Sequence, residues 1–311
     1  MHLTPRLALL LTLPPLMWAG NAVIGRLMVG YAPPVLLNLI RWVGALLLLL
    51  PLGWRAFGTP ERRAQVRARW PHLALLGLLG VGMYNAMQYM ALRTSTPLNV
   101  TLIAASMPLW MMCTGLLLFR VRPGPRDLLA AALSLAGVVT VLTRGHPLAL
   151  AQVTLVPGDL LVLVAIFCWS IYSWLLARPP TSMRGAQRPT WNWAEFLLVQ
   201  VVFGIAWAAL GAGIESAVLA DGDEGVRWGW PRALALVYLA TCPSLVAYYA
   251  WGHGVARAGP AIAALFSNLT PLLTAVISGA VLGTWPEPYH LLAFLLIVAG
   301  ILCSAFRPAV R

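Results

Sequence analysis

The chain repeats itself. Residues 88–142 align with residues 251–305 without a gap, at a constant offset of 163. Identities fall at Pro97/Pro260, Leu102/Leu265, Pro108/Pro271, Leu109/Leu272, Pro123/Pro286, Pro125/Pro288, Leu128/Leu291, Leu129/Leu292, Ala130/Ala293, Leu133/Leu296, Ala136/Ala299 and Gly137/Gly300. Apolar composition inflates the leucine and alanine matches. Prolines and a glycine at fixed spacing punctuate the backbone and are harder to obtain by chance. The match extends more loosely forward, pairing Trp18 with Trp169, Asn21 with Tyr172 and Gly44 with Gly204. Two copies of one hydrophobic unit imply an architecture in which one half moves against the other.

Hydrophobic residues make up 60% of the 311 residues and charged ones 10%, with a mean hydropathy of +0.81. A spanning helix needs roughly 20 apolar residues. Ten stretches qualify, near 7–29, 34–52, 72–92, 98–119, 127–143, 158–177, 194–213, 232–252, 261–283 and 290–306. Period-two alternation is absent, which argues against an outer-membrane barrel. The sequence therefore predicts an all-α integral membrane protein of ten transmembrane helices. Residues 1–143 form a first five-helix repeat and 158–311 a second, joined near 144–157. An odd number of helices per copy inverts the second copy in the membrane.

The net charge of +12 is carried entirely by arginine. Arg6, Arg55, Arg62, Arg63, Arg67, Arg69, Arg120, Arg122, Arg126, Arg178, Arg184, Arg188, Arg257, Arg307 and Arg311 all fall on one side of a ten-helix topology. The other side holds Arg26, Arg93, Arg144, Arg227 and Arg232 and most of the acids. By the positive-inside rule both termini are cytoplasmic, in a plasma membrane. Short scattered arginine loops do not make a nucleic-acid groove. Cys113, Cys168, Cys242 and Cys303 each stand alone in an apolar stretch, so no disulfide, metal site or cofactor is expected.

Transport needs polar groups at mid-depth, where they cost free energy unless paired or wet. Few exist: Trp18 and Asn21 in helix 1; Tyr84, Asn85 and Gln88 in helix 3; Ser106 and Trp110 in helix 4; Trp169, Ser170, Tyr172 and Ser173 in helix 6; Ser244, Tyr248, Tyr249 and Trp251 in helix 8; Ser267 and Asn268 in helix 9. From these we take Trp18, Asn21, Tyr84, Gln88, Trp110, Trp169, Tyr172, Tyr248 and Asn268 as candidate substrate-binding residues. Each also fits a packing or interhelical hydrogen-bond role. Trp54, Trp70, Trp191, Trp193, Trp228, Trp230 and Trp285 lie at helix ends and read as interfacial belt residues. Arg41 lies about two turns into helix 2, at an insertion cost of roughly 2.5–3.5 kcal/mol. It either snorkels to the interface or serves a substrate carboxylate or the cavity mouth. Pro108 and Pro271 sit inside helices 4 and 9, each removing a backbone hydrogen bond, and read as gating kinks. Pro97 and Pro260 fit first-turn positions of those helices. No acidic residue falls at mid-helix, which disfavours lipophilic-cation export and a carboxylate proton relay.

The proline-bearing helices, the short arginine loop and the central Ala-Gly pair, in SLAGVVTVL at 134–142 and IVAGILCSA at 297–305, resemble the EamA family of the drug/metabolite transporter superfamily. WAGN near the start and LIRW at 39–42 add to the likeness, which covers nearly the whole chain. The resemblance implies ten helices in two inverted repeats around a central cavity open alternately to each side. Richness in tryptophan and tyrosine makes the chain most similar to the aromatic amino-acid exporters of that family, with a neutral or aromatic amino acid as the small-molecule substrate. Export of phosphorylated metabolites or nucleotide sugars calls for a cluster of basic groups that this chain lacks. An intramembrane enzyme calls for acid pairs, a metal set or an activated nucleophile, and no DDxxD, HExxH or GxSxG occurs.

Overall fold

The computed structural model describes residues 3–28, 31–95, 100, 103–152, 154–218, 229–282 and 287–305. Among these there are helices and no strand. The helices are α1 (Pro5–Leu27), α2 (Pro34–Gly53), α3 (Pro60–Ala68), α4 (Trp70–Ala91), α5 (Met107–Phe119), α6 (Pro125–Leu142), α7 (Pro157–Ala177), α8 (Trp193–Val218), α9 (Trp230–Ala258), α10 (Pro260–Ser267), α11 (Thr270–Leu282) and α12 (Pro288–Ala305). Eight helical segments are long and apolar enough to span a membrane, with α10 and the start of α11 counted together; α5 and α12 add two shorter apolar ones. Only α3 is polar. It lies on the face carrying the arginine-rich loops, here called the arginine face.

Proline writes the helix starts. Seven of these helices begin on one: Pro5, Pro34, Pro60, Pro125, Pro157, Pro260 and Pro288. The first-turn N–H has no intrahelical acceptor, so its loss costs nothing there. Pro260 follows Gly259, whose φ of 87° turns α9 into α10 within one residue. Pro97 and Pro286 lie outside the described residues. The acids also serve helix starts. Asp127, Asp159 and Glu195 accept the N–H groups of Gly124, Val156 and Asn192 at 3.0, 2.9 and 2.8 Å. Glu215 accepts those of Val35 and Leu36 at the start of α2.

The two copies pack by the same rules in opposite senses. α1 rests on the end of α9 and on α11, while its counterpart α7 rests on the end of α4 and on α5. The remaining counterparts pair with each other, α2 with α8 and α6 with α12. The repeated glycine explains the last pair. A Cβ on Gly137 would sit 2.8 Å from the Ala293 carbonyl oxygen, and one on Gly300 would sit 2.7 Å from that of Ala130. Each glycine thus admits the other helix's repeated alanine, and close backbone approach is what drives helix association in lipid.

Two irregularities also repeat. α4 is wound as π-helix over Gly77–Met83 and α9 over Thr241–Val246, one repeat length apart. In α9, Pro243 lacks an N–H, and the Ser244 hydroxyl returns to the Leu239 carbonyl at 2.7 Å. The second irregularity corrects the expected kinks. Pro108 and Pro271 do not bend continuous helices; each is the second residue of a new one, after a turn at Ser106 and at Asn268–Leu269.

Candidate functional site

A cavity of about 580 Å³ lies where the two broken helices meet, in the half of the bundle away from the arginine face. It is lined by Trp18, Asn21 and Gly25 of α1, Tyr84, Asn85, Gln88, Tyr89 and Leu92 of and after α4, Val100, Ala104, Ala105 and Met107 at the first break, and Ser267, Asn268, Thr270 and Pro271 at the second. Both breaks leave helix ends at mid-depth, and irregular backbone is tolerated there because it faces a cavity rather than lipid. Among the described residues no lining side chain is acidic, basic or a histidine. A second concavity, of about 720 Å³, lies at the arginine face between His72, Phe119, Leu175 and Arg178–Arg184, and contains none of the candidate residues.

The hydrogen-bond network fixes what the cavity wall offers. Asn21 Oδ1 accepts from Tyr89 Oη at 2.9 Å and from Arg41 Nη1 at 3.4 Å, so its NH2 is the group left for the cavity. Across the space, Asn268 Nδ2 donates to the Ala105 carbonyl at 3.2 Å and to Ser134 Oγ at 2.9 Å, which leaves its carbonyl oxygen. Asn85 is 3% exposed, and its Nδ2 has no partner among the described residues. Buried unpartnered donors are few in native proteins, and each costs about 1–3 kcal/mol.

Toward the arginine face the cavity ends on a plug of aromatic rings. Trp169, wholly buried, is stacked between Tyr84 at 4.4 Å and Tyr172 at 5.0 Å. Trp18, Tyr248 and Trp251 surround it at 5.5, 5.3 and 5.4 Å. Such pairs add about 0.5–1.5 kcal/mol each beyond the area they bury. Three of their polar atoms tie the helices together, while Trp169 Nε1 has no partner among the described residues. Tyr248 Oη donates to the Gly80 carbonyl in the π segment of α4, and Trp251 Nε1 donates to Ser173 Oγ at 3.0 Å. Tyr172 Oη donates to Gln200 Oε1 at 3.2 Å. A second layer follows, where Trp174 stacks on Phe119 at 5.2 Å and donates to the Met111 carbonyl at 2.7 Å.

Arg41 lies behind the wall, at 0% exposure. Its Nε donates to Ser244 Oγ at 2.7 Å, Nη1 to Tyr89 Oη at 3.0 Å and to Asn21, and Nη2 to the Pro243 carbonyl at 3.2 Å. All four acceptors are uncharged. Hydrogen bonds from a charged donor contribute about 1.5–3 kcal/mol each, enough together to outweigh the insertion cost. The π winding at Thr241–Val246 is what brings the Pro243 carbonyl and the Ser244 hydroxyl to the guanidinium.

The structure therefore divides the candidate residues. Trp18, Asn21, Tyr84, Gln88, Asn268 and Pro271 line the cavity. Trp169, Tyr172 and Tyr248 form the plug beneath it, and Pro108 is buried at the start of α5. Trp110 is half-buried against Phe167, away from the cavity. Arg41 neither snorkels nor reaches the space; it acts on the wall through Asn21 and Tyr89. Tyr89 and Thr270 escaped the sequence reading, and Asn85 was noticed but not selected. The spacing of Asn85 to Tyr89, four residues on one helix, held the signal. Of the belt tryptophans, Trp54, Trp70, Trp193 and Trp230 are exposed at helix ends, Trp191 is half-buried, and Trp228 and Trp285 lie outside the described residues.

Comparison with known proteins agrees with this architecture. The model of the EamA-like transporter family matches twice, over residues 6–143 and 156–306. A protein of Archaeoglobus fulgidus named an uncharacterized transporter is 26% identical over 295 residues, covering 94% of this chain and 95% of its own. The inner membrane transporter YedA of Escherichia coli K12, also named uncharacterized, is 26% identical, covering 86% and 80%. The aromatic amino acid exporter YddG of Ancylobacter novellus is 28% identical over 236 residues, 76% of each chain. A crystal structure of a protein at 24% identity superposes with a TM-score of 0.73 over 96% of both chains, which bears on the fold alone.

Proposed function

The chain belongs to the EamA-like transporter family, and from that premise we propose that it moves a neutral or aromatic amino acid, or a close metabolite, across a bacterial plasma membrane. The observation that carries this reading is the cavity itself. It sits at mid-depth where two broken helices cross, is walled by amides and aromatic rings, and is stopped on one side by a dry aromatic plug. Asn268 supplies an acceptor for an ammonium group, Asn21 a donor, and Trp18 and Tyr84 flat faces for a ring. Gln88 adds a further polar side chain.

In this reading residues 1–143 rock against 158–311. The breaks at Pro108 and Pro271 act as hinges, since helix ends without continuous hydrogen bonding move at low cost. The arginine face is cytoplasmic in this reading, by the positive-inside rule, so the cavity lies in the outer half of the bundle. Two resemblances support the substrate class: the family and the 28% identity to an aromatic amino acid exporter. No described residue lining the cavity is a carboxylate or a histidine, so this reading assigns no proton-carrying group there.

A counterflow assay in proteoliposomes tests this. Vesicles are loaded with single unlabelled amino acids, and entry of labelled tryptophan, phenylalanine, threonine and methionine is followed with and without a pH gradient. Gradient-insensitive accumulation is expected. Accumulation that requires the gradient would count against an uncoupled facilitator, and none for any amino acid would sink the substrate assignment.

A further inference from the structure

The cavity has one electrically distinctive wall. Behind it lies Arg41, fully buried, with four neutral acceptors and no carboxylate among them. Two of those acceptors, Asn21 and Tyr89, line the cavity. Their oxygens are engaged by the guanidinium or by each other, and Tyr89 spends its one hydroxyl proton on Asn21 Oδ1, so the donor this pair leaves for the space is the Asn21 NH2. Beside them stands Asn85, 3% exposed, whose amide nitrogen makes no hydrogen bond among the described residues. A positive charge in low dielectric behind a wall of amide donors is complementary to a negative group.

We infer that Asn21 and Asn85 form a subsite for one carboxylate of the transported molecule, with Tyr89 fixing the Asn21 amide and Arg41 as the positioning residue that charges the wall from behind. This rests on the transport reading of the same cavity. The occupant carries a single negative charge, because one guanidinium stands behind the wall and its hydrogen bonds are already committed. A carboxylate has two acceptor oxygens in one plane, which two amide NH2 groups can take together. A phosphate dianion brings a second charge that nothing here offsets.

The test is direct binding to the purified full-length chain in nanodiscs, by calorimetry. The probes share one ring: phenylalanine, 3-phenylpropionate, phenylalaninamide and phenethylamine. The two acids are expected to bind about tenfold or more tighter than the amide and the amine, as loss of a partner from a desolvated charge pair requires. Arg41→Lys keeps that preference and Arg41→Gln removes it. Because Arg41→Gln can fail to fold, Asn85→Leu is the second variant. It deletes an unpartnered donor, so the thermal midpoint stays level or rises, while the acid preference collapses. Equal binding of acid and amide, no binding of either acid, or an unchanged preference in Asn85→Leu would each overturn the subsite. The transport reading fails separately. Acids that bind while no amino acid undergoes counterflow leave the subsite standing without it. Equal counterflow of phenylalanine and phenylalaninamide does the reverse.

Discussion

The hollow half and the filled half of this molecule are built from repeat-equivalent positions. Asn85 in the cavity wall corresponds to Tyr248 in the plug, Gln88 to Trp251, and Asn21 to Tyr172. Helix breaks and π segments occur in both copies at the same places. What differs is side-chain chemistry. Amides that lose water must find partners, at about 1–3 kcal/mol for each that does not. Large rings gain by losing water and tolerate a dry interior. One backbone design therefore yields a half lined by groups that need partners and a half filled by rings. On the function proposed above, the comparison assigns stability to the plug and recognition to the wall.

The sharpest way to break it is the equivalent pair Trp251 and Gln88. Trp251→Ala empties a fully buried site and is expected to cost about 3–5 kcal/mol. Gln88→Ala, at a half-buried position facing the cavity, is expected to stay within about 0.5 kcal/mol. Tryptophan fluorescence on heating in micelles reads both, and similar losses would erase the distinction. Next in size is a test of symmetry rather than contrast. Gly137→Leu and Gly300→Leu both push a side chain into a facing carbonyl, and each should lose about 1–3 kcal/mol. A large inequality would mean that α6 and α12 do not contribute alike.

Smaller again is Tyr248→Phe, which takes the donor from the Gly80 carbonyl and should cost about 1 kcal/mol. If its midpoint matches the unaltered chain, the cross-repeat tie to the π segment carries no weight. The smallest expected effect lies outside both halves. Arg62 pairs at 2.6 Å with Glu195, itself nearly buried, on the arginine face; Gln keeps a donor there, so Arg62→Gln should cost about 0.2–1 kcal/mol, reduced only in part by high salt. No loss at low salt would mean that the pair carries no weight.

Much of the fold was legible along the chain. Prolines at helix starts, apolar runs of spanning length and the Ala-Gly repeat each act locally or through a fixed period, so a linear reading recovers them. The candidate site was legible in part. Trp18, Asn21, Tyr84, Gln88 and Asn268 are polar or amphipathic groups at mid-depth, and the cost of placing them in lipid marks them out. The same criterion selected Trp169, Tyr172 and Tyr248 equally, because depth does not say which half is filled. Pro108 and Pro271 read as kinks because a missing N–H is visible in sequence, while the turn that precedes each is not.

The sequence by itself determined the class of molecule, the number of spans, the duplication and its inversion, since these follow from hydropathy, length and parity. Tertiary structure alone decided the surroundings of Arg41. Its partners Ser244 and Pro243 stand some two hundred residues away and reach it through a π segment that no periodicity announces. It also left the Asn85 amide nitrogen buried without a hydrogen bond among the described residues. Burial and hydrogen-bond satisfaction belong to the packed whole, and no single stretch of chain contains them.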